Sequence, residues 1–330
     1  MNKVIGVNGF GRIGRYFTRL SLESEAIDVA VVNDLADTET LAHLFKYDSV
    51  HGRLPYKFII DGNCLEFENG KKIIFTNNRN PEEIPWGEHN VQVVVESTGI
   101  FRTAELASKH LAGGAEKVII SAPAKDGNIP TVVLGVNDGV FNFDVPIISN
   151  ASCTTNSAAP MLQVMKEICD IENAFITTVH SYTSDQKLHD APHKDLRRAR
   201  AAAESIVPTT TGAAKALARV FPELEGKIGG CGIRVPVPDG SLTDLTLIVR
   251  NPPTVEKINQ MMKEASTGSL KGILEYTDDP IVSKDIIGNS NSCIFDSQLT
   301  SVIGSMVKIV GWYDNESGYC NRLLDLAIRI

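Results

Sequence analysis

A doubly wound α/β domain of the Rossmann type, followed by an α+β domain with a mixed or antiparallel sheet, is the fold the sequence predicts. Three observations predict it. Glycines 9, 11 and 14 stand between an apolar strand and a helical stretch. Short apolar strands and helices alternate as far as residue 150, and beyond a cysteine run at 151–156 the strands lengthen. Alternation with short turns winds a parallel sheet, whereas long successive strands favour α+β architecture. At 330 residues the chain exceeds one ordinary core, so two domains are expected. Their expected extents are 1–150 for nucleotide binding, completed by a C-terminal helix at 316–330, and 151–315 for catalysis.

Composition narrows the class. With 43% hydrophobic and 22% charged residues the chain reads as globular. No apolar run approaches the ~18 residues that span a bilayer, and the strand at Lys3 leaves no room for a signal peptide. The six cysteines are scattered without a CxxC pair, which argues against a disulfide framework or zinc ribbon and for a reducing, cytoplasmic setting. A net charge of −8 disfavours nucleic acid or an anionic membrane as partner. Any anionic substrate must be held by local groups.

Lys3–Val7 is the first strand, Asn8–Arg15 the glycine turn, and Tyr16–Glu23 a helix. In G-x-G-x-x-G the first glycine makes a tight turn, the second admits a pyrophosphate, and the third lets helix pack on strand. Helix N–H groups then face the anion. The next strand, Ile27–Val32, ends at Asn33-Asp34, twenty residues beyond Gly14. A carboxylate there accepts hydrogen bonds from an adenosine ribose and repels a 2′-phosphate, which favours NAD over NADP. A helix (Thr38–Lys46) and short strands at Lys57–Ile60, Cys64–Glu68 and Lys72–Phe75 follow. Val91–Glu96 is a strand of the kind buried in parallel sheets. A helix (Thr103–Ala112) and strands at Lys117–Ser121, Thr131–Leu134 and Pro146–Ser149 complete the domain. Ligands lie beyond the carboxyl ends of such strands, so Gly9, Asp34, Thr98 and Ser121 are expected to line one crevice.

Cys153 sits on a strand-to-helix junction, where a helix dipole lowers a thiol's pKa. The helical pattern runs from Ser157 to Cys169 and a strand from Asn173 to Ser181. A helix of ~15 residues climbs ~23 Å, and ~6 strand residues return ~20 Å. The lengths nearly cancel, which brings His180 beside Cys153 as an activating base. The basic run 194–200 reads as a solvated or subunit-contact face. His189 and His193 are separated by Pro192, so no metal site is expected. Thr209–Ala214 opens a helix suited to an anion, and Arg234, in an extended stretch, wants a carboxylate or phosphate. Strands at Leu242–Arg250 and Ser301–Trp312 and helices at Thr254–Glu264 and Glu316–Ile330 finish the chain. A dinucleotide and a reactive cysteine together suit aldehyde oxidation. The thiolate adds to the carbonyl, the adduct gives up hydride, and a thioester remains.

These residues resemble the phosphorylating glyceraldehyde-3-phosphate dehydrogenase family from Asn2 to the C-terminus. The likeness is carried by Asn8-Gly-Phe-Gly-Arg-Ile-Gly-Arg15, Asn33-Asp34, Glu96-Ser-Thr-Gly99, Ala151-Ser-Cys-Thr-Thr-Asn156, Thr178-Val-His-Ser-Tyr-Thr183, Pro208-Thr-Thr-Thr-Gly-Ala-Ala-Lys215 and Trp312-Tyr-Asp-Asn-Glu316. The resemblance implies a Cys153 nucleophile, a His180 base, and oxidation of glyceraldehyde 3-phosphate with NAD and inorganic phosphate. It implies a substrate-phosphate site at Thr183 and Arg234, and an inorganic-phosphate site at Ser152, Thr154, Arg198, Thr211 and Gly212. Cofactor contacts carry over to Arg12, Ile13, Asp34, Arg79, Ser121 and Asn315, and the implied assembly is a homotetramer. An erythrose-4-phosphate dehydrogenase, whose thioester goes to water, remains the alternative. Ser157 stands where a second cysteine is frequent, Ala191-Pro192 where NAD-specific members often have Leu-Pro, and Asp239-Gly240 where Asn-Val is frequent.

Overall fold

The computed structural model describes residues 2–330. The chain packs as two units: residues up to Val132 with Phe141–Ala151 and Cys320–Ile330, and Val133–Val140 with Ser152–Tyr319.

The first unit carries β1 (Lys3–Asn8), α1 (Arg12–Ser21), β2 (Ile27–Asn33), α2 (Thr38–Lys46), β3 (Phe58–Asp61), β4 (Cys64–Phe67), β5 (Lys72–Thr76), β6 (Val93–Glu96), α3 (Ala104–Ala112), β7 (Lys117–Ile120) and β8 (Ile147–Ser149). The sheet order is β8-β7-β6-β1-β2-β5-β4-β3. From β8 to β5 neighbouring strands are parallel, and β4 and β3 add an antiparallel hairpin. Ile5, Val7, Val93, Val94 and Val95 are fully buried, as central strands covered on both faces require. Trp86, Ile84, Val31 and Val94 form one apolar cluster, and Ala107, Val118, Ile120 and Ile147 another. Winding reverses between β1 and β6, which makes their carboxyl ends the topological switch point.

In the second unit are α4 (Cys153–Ile168), β9 (Asp170–Ser181), β10 (Val207–Thr209), α5 (Ala213–Val220), β11 (Ile228–Val235), β12 (Ser241–Arg250), α6 (Val255–Thr267), β13 (Leu274–Thr277), β14 (Cys293–Asp296), β15 (Ser301–Ile303) and β16 (Met306–Tyr313). The sheet order is β10-β11-β9-β12-β16-β14-β13, with β15 also on β16. β9 with β11 and β13 with β14 are parallel pairs and the other pairings are antiparallel, so the sheet is mixed. The final helix, α7 (Ser317–Arg329), lies across the chain boundary of the units. Within the first unit the Lys3 ammonium donates to the Ala327 and Ile328 carbonyls at 3.0 and 2.9 Å, a cation at a helix C-terminus.

Several elements differ from the sequence reading: α1 starts at Arg12 rather than Tyr16, and β9 at Asp170 rather than Asn173. α4 starts at Cys153 rather than Ser157, because the Ser152 hydroxyl caps it by accepting from Thr155 N at 3.1 Å. Thr131–Leu134 is not a strand: only Thr131 bridges to Ser149. Beyond it, the Asn137 and Asp138 side chains accept from Val133 N and Gly135 N and turn the chain. The expected strand Ser301–Trp312 is a hairpin, β15 and β16, turning at Gly304 with φ +57°.

Candidate active site

The glycine turn is built by close approach. Gly9 takes φ +91°, and a Cβ there would meet Thr98 N at 2.8 Å. A Cβ on Gly14 would lie 2.2 Å from the Gly9 carbonyl oxygen, so the helix packs on the turn only with glycine. Gly11 differs. Its backbone is extended (φ −70°, ψ −163°), and a Cβ would meet nothing within 4 Å. The fold does not itself require glycine at 11. No side chain caps α1 and its first turn holds no acid, so its N-terminus suits a pyrophosphate.

Asp34 follows β2. Its carboxylate accepts from Phe10 N at 2.7 Å and Ala36 N at 3.1 Å, which ties the glycine turn to the acid. Thr98 and Ser121 lie just past the ends of β6 and β7, and Ser121 N donates to Glu96 O at 3.0 Å. Arg12 pairs with Asp48 at 2.6 Å. The Ile13 carbonyl accepts from the Cys320 thiol at 3.5 Å. Arg79 is exposed after β5.

In the second unit Cys153 is the first residue of α4. Just before it, Ala151 holds a left-handed backbone at φ +56°, costing roughly 1 kcal/mol for a non-glycine residue. The Cys153 thiol sulfur lies 3.5 Å from His180 Nε2. The Ser181 carbonyl, which can only accept, takes an Arg234 N–H at 2.9 Å and lies 2.8 Å from His180 Nδ1. Nε2 is the ring nitrogen that faces the thiol. His180 and Arg234 are register partners on β9 and β11, and the guanidinium also contacts the ring at Nδ1.

Burial pushes the Cys153 thiol up to about 11, against the opposing pull of Arg234 and the Thr154 amide. Burial, reinforced by Arg234, pushes His180 down to about 3. Burial favours the neutral form of both the thiol and the imidazole. The lowered thiol expected from a helix N-terminus alone is thus reversed, because loss of water outweighs the helix-end amide.

Thr154 is buried, and its hydroxyl bonds the Tyr313 hydroxyl at 2.9 Å. Tyr313 also bonds Thr178 at 2.8 Å and sets its ring edge-on to His180. This tyrosine braces both helix and strand at the nucleophile. Sequence reasoning quoted its motif but assigned it no role; only the pairing of β16 with β12, and of β12 with β9, brings it there. Arg198 bonds Thr209 Oγ1 at 2.9 Å and pairs with Asp185, with Asp195 at 3.6 Å. Thr211 accepts from Ala213 N at 3.2 Å, and Gly212 is the N-cap of α5 without a side-chain cap. Thr183 is half-buried after β9, its carbonyl accepting from Gln186 N. Asn315 Oδ1 accepts from the Ser181 and Ser241 hydroxyls, both at 2.8 Å. Its amide N–H groups are consequently the end that can donate to a ligand.

A doubly wound nucleotide-binding unit and a cysteine–histidine pair at a helix N-terminus define a class, the dinucleotide-dependent enzymes that work through a thiol. Comparison with known proteins is specific. Residues 3–104 match the model of the glyceraldehyde 3-phosphate dehydrogenase NAD binding domain, and residues 152–315 match that of its C-terminal domain. The chain is 55% identical over 328 residues to the glyceraldehyde-3-phosphate dehydrogenase of Geobacillus stearothermophilus, covering 99% of this chain and 97% of that protein. It is 54% identical over 327 residues to glyceraldehyde-3-phosphate dehydrogenase 2 of Streptomyces avermitilis, covering 98% and 97%. With glyceraldehyde-3-phosphate dehydrogenase 1 of Bacillus subtilis the identity is 52% over 330 residues, covering 99% and 97%. The chain belongs to the glyceraldehyde 3-phosphate dehydrogenase family.

Proposed function

We propose that the chain oxidises D-glyceraldehyde 3-phosphate with NAD and inorganic phosphate to 1,3-bisphosphoglycerate, the phosphorylating step of glycolysis and gluconeogenesis. The single observation that carries the chemistry is the Cys153 thiol held 3.5 Å from His180 Nε2. The Cys153 proton passes to His180 Nε2 as sulfur bonds to the aldehyde carbon, and His180 returns it to the former carbonyl oxygen, giving a hemithioacetal and a neutral imidazole. NAD supplies the hydride acceptor when bound. His180 takes the hydroxyl proton as the carbonyl re-forms, leaving a thioester on Cys153. Phosphate then attacks the thioester carbon, the sulfur–carbon bond breaks, and the thiol is restored. Arg234 and Thr183 hold the substrate phosphate in this reading. A dianion on Arg234 offsets the positive charge that depresses His180, so binding makes the base stronger. Ser152, Thr154, Arg198, Thr211 and Gly212 hold the attacking phosphate.

For NAD, Gly9, Gly11, Gly14, Arg12 and Ile13 receive the pyrophosphate end. Asp34 and Arg79 serve the adenosine, Thr98 and Ser121 the middle of the molecule, and Asn315 the carboxamide. The space at Gly11 and the uncapped α1 terminus support that assignment. Residues 1–150 with 316–330 act as the NAD-binding domain, and 151–315 as the catalytic domain. The enzyme works as a homotetramer in the cytoplasm. Support comes from Leu188, Leu196 and Ile206, which are 74%, 82% and 69% exposed around the 182–206 loop, and from six free thiols. Among the described residues no helix is long and apolar enough to cross a membrane.

Absorbance of NADH formed from glyceraldehyde 3-phosphate, with and without inorganic phosphate, tests the reading. Turnover that requires phosphate supports it. Equal turnover without phosphate overturns it in favour of hydrolysis, the erythrose-4-phosphate type of reaction.

A further inference from the structure

The switch point holds a buried carboxylate ringed by donors. Glu96 ends β6 and is the register partner of Asn8, which ends β1. Glu96 is 1% exposed. Oε1 accepts from Thr98 N at 2.8 Å and from the Thr98 hydroxyl. Oε2 accepts from Asn8 Nδ2 at 2.6 Å and His110 Nε2 at 3.0 Å. Behind these donors every bond runs one way. The Trp86 indole can only donate, and it meets His110 Nδ1 at 3.2 Å. The imidazole proton therefore sits on Nε2 and points at Glu96. On the other side Asn78 N, a backbone donor, meets Asn33 Oδ1 at 2.8 Å. That fixes the Asn33 amide, whose Nδ2 donates to Asn8 Oδ1 at 2.8 Å and leaves Asn8 Nδ2 to face Glu96. The Thr98 hydroxyl accepts from Ile100 N at 3.1 Å, so its own proton also goes to Glu96. Four donors converge on its two oxygens.

What the carboxylate holds is the wall of the dinucleotide crevice. Thr98 packs directly on Gly9, and the Ser97 hydroxyl donates to Gly9 O at 2.7 Å. Asn8 leads into the glycine turn. We propose that Glu96 is a positioning residue for the dinucleotide, with His110 and Trp86 acting through it: the one-way network fixes Thr98 and Asn8, and through them the glycine turn. This rests on the reading of that turn as the dinucleotide site.

The test compares Glu96→Gln, His110→Ala and His110→Gln with the parent enzyme. The readouts are NAD affinity by calorimetric titration, KM for NAD and for the aldehyde, and the melting temperature. Glu96→Gln turns an amide N–H2 against two donors. NAD affinity should fall at least about tenfold, the worth of one charge-assisted hydrogen bond, and KM for NAD should rise with it while KM for the aldehyde stays put. His110→Ala should weaken NAD likewise, and His110→Gln, which can still donate to Oε2, should recover most of the loss. A folded Glu96→Gln protein with parental NAD affinity and only a lower melting temperature overturns the inference, as does an equal rise in both KM values. Should Glu96→Gln not fold, the His110 pair decides alone: loss with alanine and recovery with glutamine support the inference, and parental affinity in both overturns it. Failure of the parent enzyme itself to bind NAD would instead refute the underlying site.

Discussion

Replacing two glycines of one motif separates what the fold requires from what the cofactor requires. Gly11→Ala adds a methyl group into open space on an extended backbone. Reduced entropy of the unfolded chain stabilises such a change by about 0.4–1 kcal/mol, and alanine at an N-cap costs a comparable ~0.5–1 kcal/mol. The two nearly cancel, so the melting temperature should move by only a few degrees. The same methyl stands where a pyrophosphate must approach backbone. A clash there worth about 2–3 kcal/mol weakens NAD binding roughly 30- to 150-fold. Gly14→Ala behaves the other way round. Its Cβ would lie 2.2 Å from the Gly9 carbonyl oxygen and 3.1 Å from Val7 Cγ1. Relief requires α1 to move off the sheet, at about 1–3 kcal/mol or more. Thermal unfolding with and without NAD, together with a direct NAD titration, reads both effects. A Gly11→Ala protein that binds NAD like the parent would refute the placement of the pyrophosphate at this turn.

Three further outcomes follow from the catalytic unit. Cys153→Ser should keep NAD affinity in a titration and lose NADH formation, and retained turnover would rule out the nucleophile. Tyr313→Phe removes the hydroxyl shared by Thr154 and Thr178, both buried. About 1–3 kcal/mol of stability should go with it, measured by denaturant titration, and kcat should drop as the nucleophile's helix loosens; an unchanged protein contradicts the bracing role. Asp239→Asn addresses a buried carboxyl that desolvation, then the Asp314 and Glu316 charges, raise far above the ordinary range. The folded chain keeps a proton there that the unfolded chain releases. That contribution is intact below about pH 4 and is lost as pH rises into the alkaline range. Asparagine carries no such proton, so the variant's stability advantage should grow with pH in paired melting curves, and a constant difference would contradict the assignment.

Much of this was legible because it is local. A strand, a glycine turn, a helix and an acid after the next strand are fixed by neighbours in sequence, and so Gly9, Gly14 and Asp34 sit as the pattern predicts. The approach of His180 to Cys153 was legible from the order helix then strand but not from their lengths, since β9 runs twelve residues and outspans the sixteen-residue α4. The rest depended on contacts that no local pattern encodes. The first turn of α4, Thr154-Thr155-Asn156, is poor helical sequence, and burial with the Ser152 cap overrides propensity. The helix end at Cys153 is local and legible, whereas burial, the larger influence on the thiol, is a tertiary fact. Tyr313, Asp239 and the Glu96 network likewise arise from strand order and register, which the sequence does not print.

The central claim is that oxidation passes through an acyl group on Cys153. Mixing enzyme, NAD and glyceraldehyde 3-phosphate without inorganic phosphate, quenching in acid and mapping peptides by mass tests it most directly. The account predicts a 3-phosphoglyceroyl group on the peptide that contains Cys153, absent from Cys153→Ser and discharged when phosphate is added before the quench. Full NADH formation with no adduct on that peptide, or with the acyl group on another residue, would contradict it.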